Sequence, residues 1–354
     1  MQAISNILVI RLSSLGDVLM NLPAVKALKD ARPDASVSWL VEGPVAELLS
    51  SQPFIDRVIP FPRSALQGSL KEGKVFRVLA LLAAFVRTLK DRRYDVIADF
   101  HGIAKSALLS RLARGHVRIG FDRQFAKEGS RHAYQRRISA PERRIHKVER
   151  NMLLARDLGA NGTIPPVHLS VPEGAEAYID AFFRTRAIAS PVIVINPFCS
   201  RGSAYKRWDL ANYGELIRKL KNTLGVTLMI LWGPGEEDEA RRLEEMAKGD
   251  AILACPTTVA QLAALLKRVN LYVGGDTGVM HLAVFAGIPV LAMFGPSDDR
   301  INRPFGEGHR VVRKDLECSP CRDKSCKERK CLTSITVDEV LSEALSLSKE
   351  IGIG

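Results

Sequence analysis

The sequence predicts two doubly wound α/β domains, each built on a parallel sheet, and three observations lead there. The chain has 354 residues, more than one ordinary core holds, and a length of this order divides into two domains of about 150 to 200 residues. Short β-rich runs alternate with helical patterns in both halves, as expected of βαβ units whose sheets are covered on both faces. A Pro-rich break, I-P-P-V-H-L-S-V-P-E-G (164–174), separates the halves. The expected bounds are a Rossmann-like domain over 1–170, a linker over 171–190, a second Rossmann-like domain over 191–335 and a closing helix over 336–354.

In chain order, N-I-L-V-I-R (6–11) reads as a first strand, followed by a helix through V-L-M-N-L-P-A-V-K-A-L-K-D-A. S-V-S-W-L-V (36–41) reads as a second strand before the helix V-A-E-L-L-S, and Y-D-V-I-A-D-F (94–100) as a third before K-S-A-L-L-S-R-L-A. The second half repeats the pattern with strands V-I-V-I-N-P-F (192–198), V-T-L-M-I-L-W (226–232), N-L-Y-V-G-G (270–275) and P-V-L-A-M-F-G (289–295). T-V-D-E (336–339) matches a capping box at the head of the last helix. Two such domains facing each other leave a central cleft lined by loops at the carboxyl ends of their strands, where ligands of such sheets bind.

Composition bounds the function. The apolar share is 46% and the charged share 25%, and no segment approaches the roughly 20 apolar residues that cross a bilayer. The nearest run, V-L-A-L-L-A-A-F-V (78–86), lies between Arg77 and Arg87 and reads as a buried or interfacial helix. No signal-like segment precedes the first strand, so a cytoplasmic protein is expected. The net charge of +12 is concentrated: residues 111–150 hold twelve Lys or Arg against four acids, a local excess of eight. Such a patch attracts a polyanion, whether nucleic acid, a phosphorylated small molecule or an anionic membrane surface.

The loops after the strands carry the chemistry. In R-L-S-S-L-G-D-V-L (11–19), Asp17 stands where a strand hands over to a helix, a position for an N-cap or for a catalytic carboxylate. G-G-D-T-G-V-M-H-L (274–282) combines glycines with a helix start near Thr277, which aims its positive end at a phosphate, and His281 lies one turn along the same face. F-C-S-R-G-S-A-Y-K-R-W (198–208) offers Ser200 and Lys206 to a diphosphate, with Arg207 one position round and expected to point elsewhere. L-W-G-P-G-E-E-D-E (231–239) presents Glu236 or Glu237 to a ribose diol, and F-G-P-S-D-D (294–299) adds a turn with Ser297. Together they describe a nucleotide site. No G-x-x-x-x-G-K-[ST], no G-x-G-x-x-G and no D-x-D pair occurs, so a P-loop, a dinucleotide fold and a metal-held nucleotide are not expected.

R-L-S-S-L-G-D-V-L, D-F-H-G-I-A-K-S-A (99–107), Y-K-R-W, G-G-D-T-G-V-M-H-L and F-G-P-S-D together resemble the ADP-heptose lipopolysaccharide heptosyltransferases, inverting, metal-independent GT-B enzymes of the bacterial inner core. The likeness spans almost the full length. F-H-G-I-A-K-S-A with A-K-E-G-S-R and H-K-V-E-R-N (146–151) looks more like the heptosyltransferase I group, which adds the first heptose to Kdo-bearing lipid A.

The resemblance implies that Asp17 is the general base as well as the helix cap, the two roles no longer competing, and that Lys206 joins it as a catalytic residue on the diphosphate. Ser14, Gly16, Ser200, Lys206, Asp276, Thr277, Gly278 and His281 would bind the ADP-heptose donor, with Glu236 or Glu237 on the ribose. Arg63, His101, Lys105, Arg123, Lys127 and Arg131 would hold the Kdo carboxylates and lipid A phosphates. No cofactor and no nucleic acid is implied, but a peripheral contact with the inner face of the cytoplasmic membrane is. Alternatives are a heptosyltransferase II, another ADP-sugar transferase or a nucleotide-sugar epimerase. Cys318, Cys321, Cys326 and Cys331, spaced C-x2-C-x4-C-x4-C, stand outside this account and suit either a structural metal or reactive thiols.

Overall fold

The computed structural model describes residues 4–321 and 323–353. Contacts divide the chain into two units, Met1–Pro172 and Glu173–Gly354.

The first unit holds a six-stranded sheet: β1 (Asn6–Ile10), β2 (Ser36–Glu42), β3 (Arg57–Phe61), β4 (Arg93–Asp99), β5 (Arg114–Phe121) and β6 (Arg136–Ile138). The second holds β7 (Val192–Asn196), β8 (Thr227–Ile230), β9 (Ile252–Leu253), β10 (Leu271–Gly275), β11 (Val290–Phe294) and β12 (Arg310–Arg313). Their orders are β3-β2-β1-β4-β5-β6 and β12-β11-β10-β7-β8-β9, and every pairing is parallel. Counted from its own first strand, each sheet has the same winding, third-second-first-fourth-fifth-sixth.

Burial on both faces explains why the central strands read as unbroken apolar runs. Ile7 to Ile10 and Val192 to Ile195 are fully buried. Around β7 the core gathers Ile193, Ile195, Trp208, Tyr213 and Leu216, with Leu332 and Val340 from the end of the chain. The closing helix, Val337–Glu350, starts in the expected capping box: the Thr336 side chain accepts from Glu339 N at 3.3 Å, and Thr336 N donates to Glu339 Oε2 at 2.9 Å. It packs on β11, β12 and helix Leu210–Leu224.

Three expectations need correction. The stretch 171–190 is not a bare linker, because helix Glu173–Thr185 occupies most of it. Ala175, Ile179 and Phe183, four residues apart, are buried where this helix packs on helix Val259–Leu266, and Glu173 and Glu176 suit its first turn. The helix expected after β1 is two helices, Leu15–Leu19 and Leu22–Ala31, the second restarting with Pro23 in its first turn, where a missing N–H costs nothing. The run 78–86, expected as a buried or interfacial helix, lies in helix Val75–Lys90, of which only Phe85 and Leu89 are buried, so the buried alternative alone falls.

Candidate active site

In a sheet of this order the winding reverses between the first and fourth strands, and the loops after them flank the crevice where such sheets bind ligands. In the first unit those loops follow β1 and β4. Ser14 is the N-cap of helix Leu15–Leu19, and Asp17 lies in its first turn. Asp17 is therefore not the cap, contrary to one of the two expectations. Its carboxylate meets Arg11 Nη2 at 2.6 Å and Lys147 Nζ at 2.6 Å, and accepts from Ser14 Oγ at 3.1 Å. Burial pushes its pKa up, but the Arg11 and Lys147 charges outweigh burial and hold the group well below the usual carboxylate range. Gly16 is buried in the same turn.

The two loops are tied together. Arg11 Nη1 donates to Phe100 O at 2.9 Å, and Leu12 N donates to His101 Nδ1 at 3.3 Å. Buried Asp99 anchors the second loop, its Oδ1 accepting from His101 N at 2.9 Å and Gly102 N at 3.1 Å, and its Oδ2 from Tyr134 Oη at 2.7 Å. Gly102 has φ +70, a conformation glycine adopts freely. Burial lowers the His101 pKa to about 3, helped by Arg11, Lys105 and Lys127 and opposed by Asp17. The imidazole is thus neutral at pH 7, accepting at Nδ1 and carrying its proton on Nε2.

The residues expected to hold the acceptor's anions fall into three groups. Arg63 and Lys105 converge on Glu42, at 3.1 and 3.2 Å, and Lys105 Nζ sits 4.0 Å from the centre of the Phe61 ring. The Lys127 backbone N donates to Gly102 O at 2.8 Å, which brings 127 to the His101 loop. Arg123 and Lys127 are exposed and make no ion pair among the described residues, while Arg131 Nε donates to its neighbour His132 Nε2 at 3.3 Å.

The second unit repeats the arrangement with the loops after β7 and β10. Lys206 Nζ meets Asp276 Oδ2 at 2.6 Å, and although burial raises Asp276, the Lys206 charge and hydrogen bond hold its pKa below the ordinary value. Thr277 is the N-cap of helix Gly278–Phe285, its Oγ1 accepting from Met280 N at 3.3 Å. Asn196 at the end of β7 donates to Thr277 Oγ1 at 3.2 Å and to Tyr272 Oη at 2.8 Å. A Cβ on Gly274, within β10, would lie 2.7 Å from Tyr272 Oη and 2.8 Å from Asn196 O, so the end of this strand admits only glycine there. His281 is buried on the same helix.

A cavity of about 440 Å³ lies beside this loop, lined among others by Ser200, Gly233, Gly235, Arg207 and Glu236. Arg207 does turn away from Asp276, but into this cavity. Its guanidinium meets Glu236 Oε1 at 3.1 Å and Glu239 Oε2 at 2.8 Å. Glu236 also accepts from Gly233 N at 2.9 Å, and burial raises its pKa against the pull of Arg207. Glu237 is exposed and paired with Arg241 at 2.6 Å. Of the two candidates for the ribose, Glu236 is the one that lines the cavity.

Sequence reasoning missed Arg11, Lys147 and Arg207 as partners of the site's acids. Arg11 and Lys147 lie within quoted motifs, yet nothing local says that 147 returns to 17. Of the four cysteines, Cys331 is buried in the second core, while Cys318, Cys321 and Cys326 are exposed; burial raises the Cys331 thiol pKa, and the charges of Cys321, Cys318 and Cys326 act on it in the same direction. Among the described residues no three His, Cys, Asp or Glu side chains form a metal-holding group. Cys331 is drawn inward with Leu332 by the short helix Lys330–Thr333.

Two sheets of one winding in a single chain, each with charged side chains gathered where the winding reverses, have the architecture of the GT-B enzymes. A family profile for glycosyltransferase family 9 (heptosyltransferase) matches residues 82–332. Lipopolysaccharide heptosyltransferase 1 of Pseudomonas aeruginosa is 30% identical over 330 residues, which are 90% of this chain and 87% of that protein. The solved structure of E. coli heptosyltransferase WaaC with ADP superposes with a TM-score of 0.77 at 27% identity, covering 97% of this chain and 99% of that one. WaaC with ADP-2-deoxy-2-fluoro heptose gives 0.73 at 26% identity, over 96% and 99%. The chain belongs to glycosyltransferase family 9, the heptosyltransferases.

Proposed function

We propose that this chain moves L-glycero-D-manno-heptose from ADP-heptose to a Kdo sugar of lipid A, with inversion at the anomeric carbon, in lipopolysaccharide inner-core biosynthesis. One observation carries the reading: a carboxylate, Asp17, is held ionised by two cations at the switch point of the first sheet. The donor assignment is supported by WaaC, a relative solved with ADP and with a fluorinated ADP-heptose. An epimerase has less support, because the relative that matches 90% of this chain is a heptosyltransferase.

In this scheme the acceptor hydroxyl oxygen bonds to the anomeric carbon as the bond from that carbon to the diphosphate breaks, and the electron pair leaves with ADP. The hydroxyl proton passes to Asp17. A carboxylate with a depressed pKa is a weak base towards an alcohol, so it accepts the proton late, once the oxygen has become acidic. Lys206 exchanges Asp276 for the diphosphate, and the N-terminus of helix Gly278–Phe285 adds its positive end. These two supply the positive charge the leaving group needs, and the scheme requires no cofactor. Asp276 is then free to accept from heptose hydroxyls, and Glu236 from the ribose. Arg63, His101, Lys105, Arg123, Lys127 and Arg131 hold the acceptor's carboxylates and phosphates.

The test incubates the protein with ADP-heptose, with and without Kdo-lipid A, and follows ADP release. Acceptor-dependent release is expected. Release without acceptor, or none with it, would overturn the reading, and release only on an acceptor that already bears heptose would reassign the chain to the second heptosyl transfer.

A further inference from the structure

The hairpin formed by helices Arg63–Lys71 and Val75–Lys90 exposes side chains that the first core does not use. The two helices pack on each other, and the second rests on β3 and on helix Ala104–Leu112. Phe85 and Leu89 make that anchorage, Phe85 meeting Phe61 edge-on with ring centres 5.2 Å apart. Both anchors belong to the carboxyl half of the second helix.

The amino half of that helix and the end of the first are apolar and open to solvent. Phe76 is 89% exposed, Leu70 and Val75 60%, and Leu79 57%. Phe76, Leu79, Ala80 and Ala83 share one helix face, opposite the stripe that carries Phe85 and Leu89. An outer face of a surface helix is ordinarily polar. Cations frame this one: residues 63–90 contain Arg63, Lys71, Lys74, Arg77, Arg87 and Lys90. Their single acid, Glu72, is paired with Lys74 at 2.7 Å.

We propose that this hairpin docks the chain on an anionic lipid bilayer, with Phe76 and Leu79 entering the headgroup region and Lys71, Lys74 and Arg77 meeting lipid phosphates. Charge selects the occupant. A second copy of the chain would bring the same cations against themselves, whereas an anionic leaflet offers the opposite charge beside an apolar layer. The contact is interfacial, because no helix among the described residues is long and apolar enough to cross a membrane. The 16 residues of the second helix extend only about 24 Å.

The docking itself stands apart from the proposed reaction, and its consequence rests on it. Arg63 opens the hairpin and shares Glu42 with Lys105. A bilayer held at Phe76 therefore offers a lipid-anchored sugar to the cations assigned to the acceptor.

The experiment floats the full chain with acceptor-free vesicles of phosphatidylethanolamine containing about a third phosphatidylglycerol, a typical anionic surface. The wild-type chain is expected to float with them, and to do so much less with pure phosphatidylcholine. The F76E/L79E variant, altered only at exposed positions, should float roughly fivefold less or worse. K74Q/R77Q should lose the preference for the anionic vesicles. Transfer to a lipid-free Kdo acceptor should be unchanged in F76E/L79E, which also shows that the variant is folded, while transfer to acceptor embedded in vesicles falls. Equal flotation of wild type and F76E/L79E would overturn the proposal. So would no flotation of the wild type, or a concentration-dependent dimer that F76E/L79E abolishes. Flotation without any heptosyl transfer would overturn the proposed function and leave the docking intact.

Discussion

Asp17 owes its ionisation to Arg11 and Lys147 rather than to the end of a helix. Asp17→Asn keeps the shape and removes the base, so kcat should fall about a hundredfold or more, measured as acceptor-dependent ADP release. The same change leaves two cations facing each other, and should lower stability by about 1 to 3 kcal/mol, read by denaturant unfolding at pH 7. Turnover near wild type would reduce Asp17 to a structural role. The folded pKa of Asp17 is depressed, so its stabilising contribution is present above the unfolded carboxylate pKa and disappears as pH falls through the folded value. The acid limb of kcat/KM should for the same reason lie below the ordinary carboxylate range. Lys147→Met removes one of the two cations, and should move that limb to higher pH. The loops that carry Asp17, Lys206, Asp276 and Thr277 were legible in sequence because each follows a buried apolar strand. Lys147 was not legible as a partner of Asp17, since the two are 130 residues apart and no local pattern encodes a side-chain pairing over that distance.

At the scale of elements, the carboxyl end of β10 is tightly specified beside the proposed donor loop. Gly274→Ala forces a Cβ against Tyr272 Oη and Asn196 O, two atoms of the network that positions Thr277. It should cost about 1 to 3 kcal/mol of stability by overpacking and weaken ADP binding about tenfold or more, both measurable on the purified chain by unfolding and calorimetry. The strands that were legible are those buried on both faces, such as β1, β7 and β11, which are apolar apart from a terminal Asn6 in β1 and Asn196 in β7. The missed strands lack that signal. β3 contains Pro60 and lies at a sheet edge, β5 reads R-G-H-V-R-I-G-F with charges and glycines between its apolar residues, and β9 spans only two residues. Helix Glu173–Thr185 was hidden by the Pro-rich stretch before it, although its buried stripe of Ala175, Ile179 and Phe183 is regular once a helix is assumed.

For the whole molecule, a net charge of +12 makes association with a polyphosphorylated acceptor an ionic-strength problem. If the proposed assignments hold, the KM for the lipid acceptor should rise severalfold between about 50 and about 300 mM NaCl, while the KM for ADP-heptose, assigned to the Lys206 loop, changes less. Equal responses of the two constants would show that the basic segment takes no part in acceptor capture. The charge and the two-domain plan were legible from composition and length alone. Which cations stand clear of partners, as Arg123 and Lys127 do among the described residues, depends on folded neighbours.

Among the described residues no strand is exchanged between the two sheets, and residues 1–172 contain all six described strands of the first. On a ribosome that adds about 5 to 20 residues per second, synthesis of the remainder takes roughly 10 to 40 s. The amino-terminal unit therefore has time to close around its own core before the last strand of the second sheet, β12, is made. Translation then delivers first the half proposed to receive the acceptor and second the half proposed to handle the activated sugar, so the second sheet is completed only on a chain whose first sheet is already built.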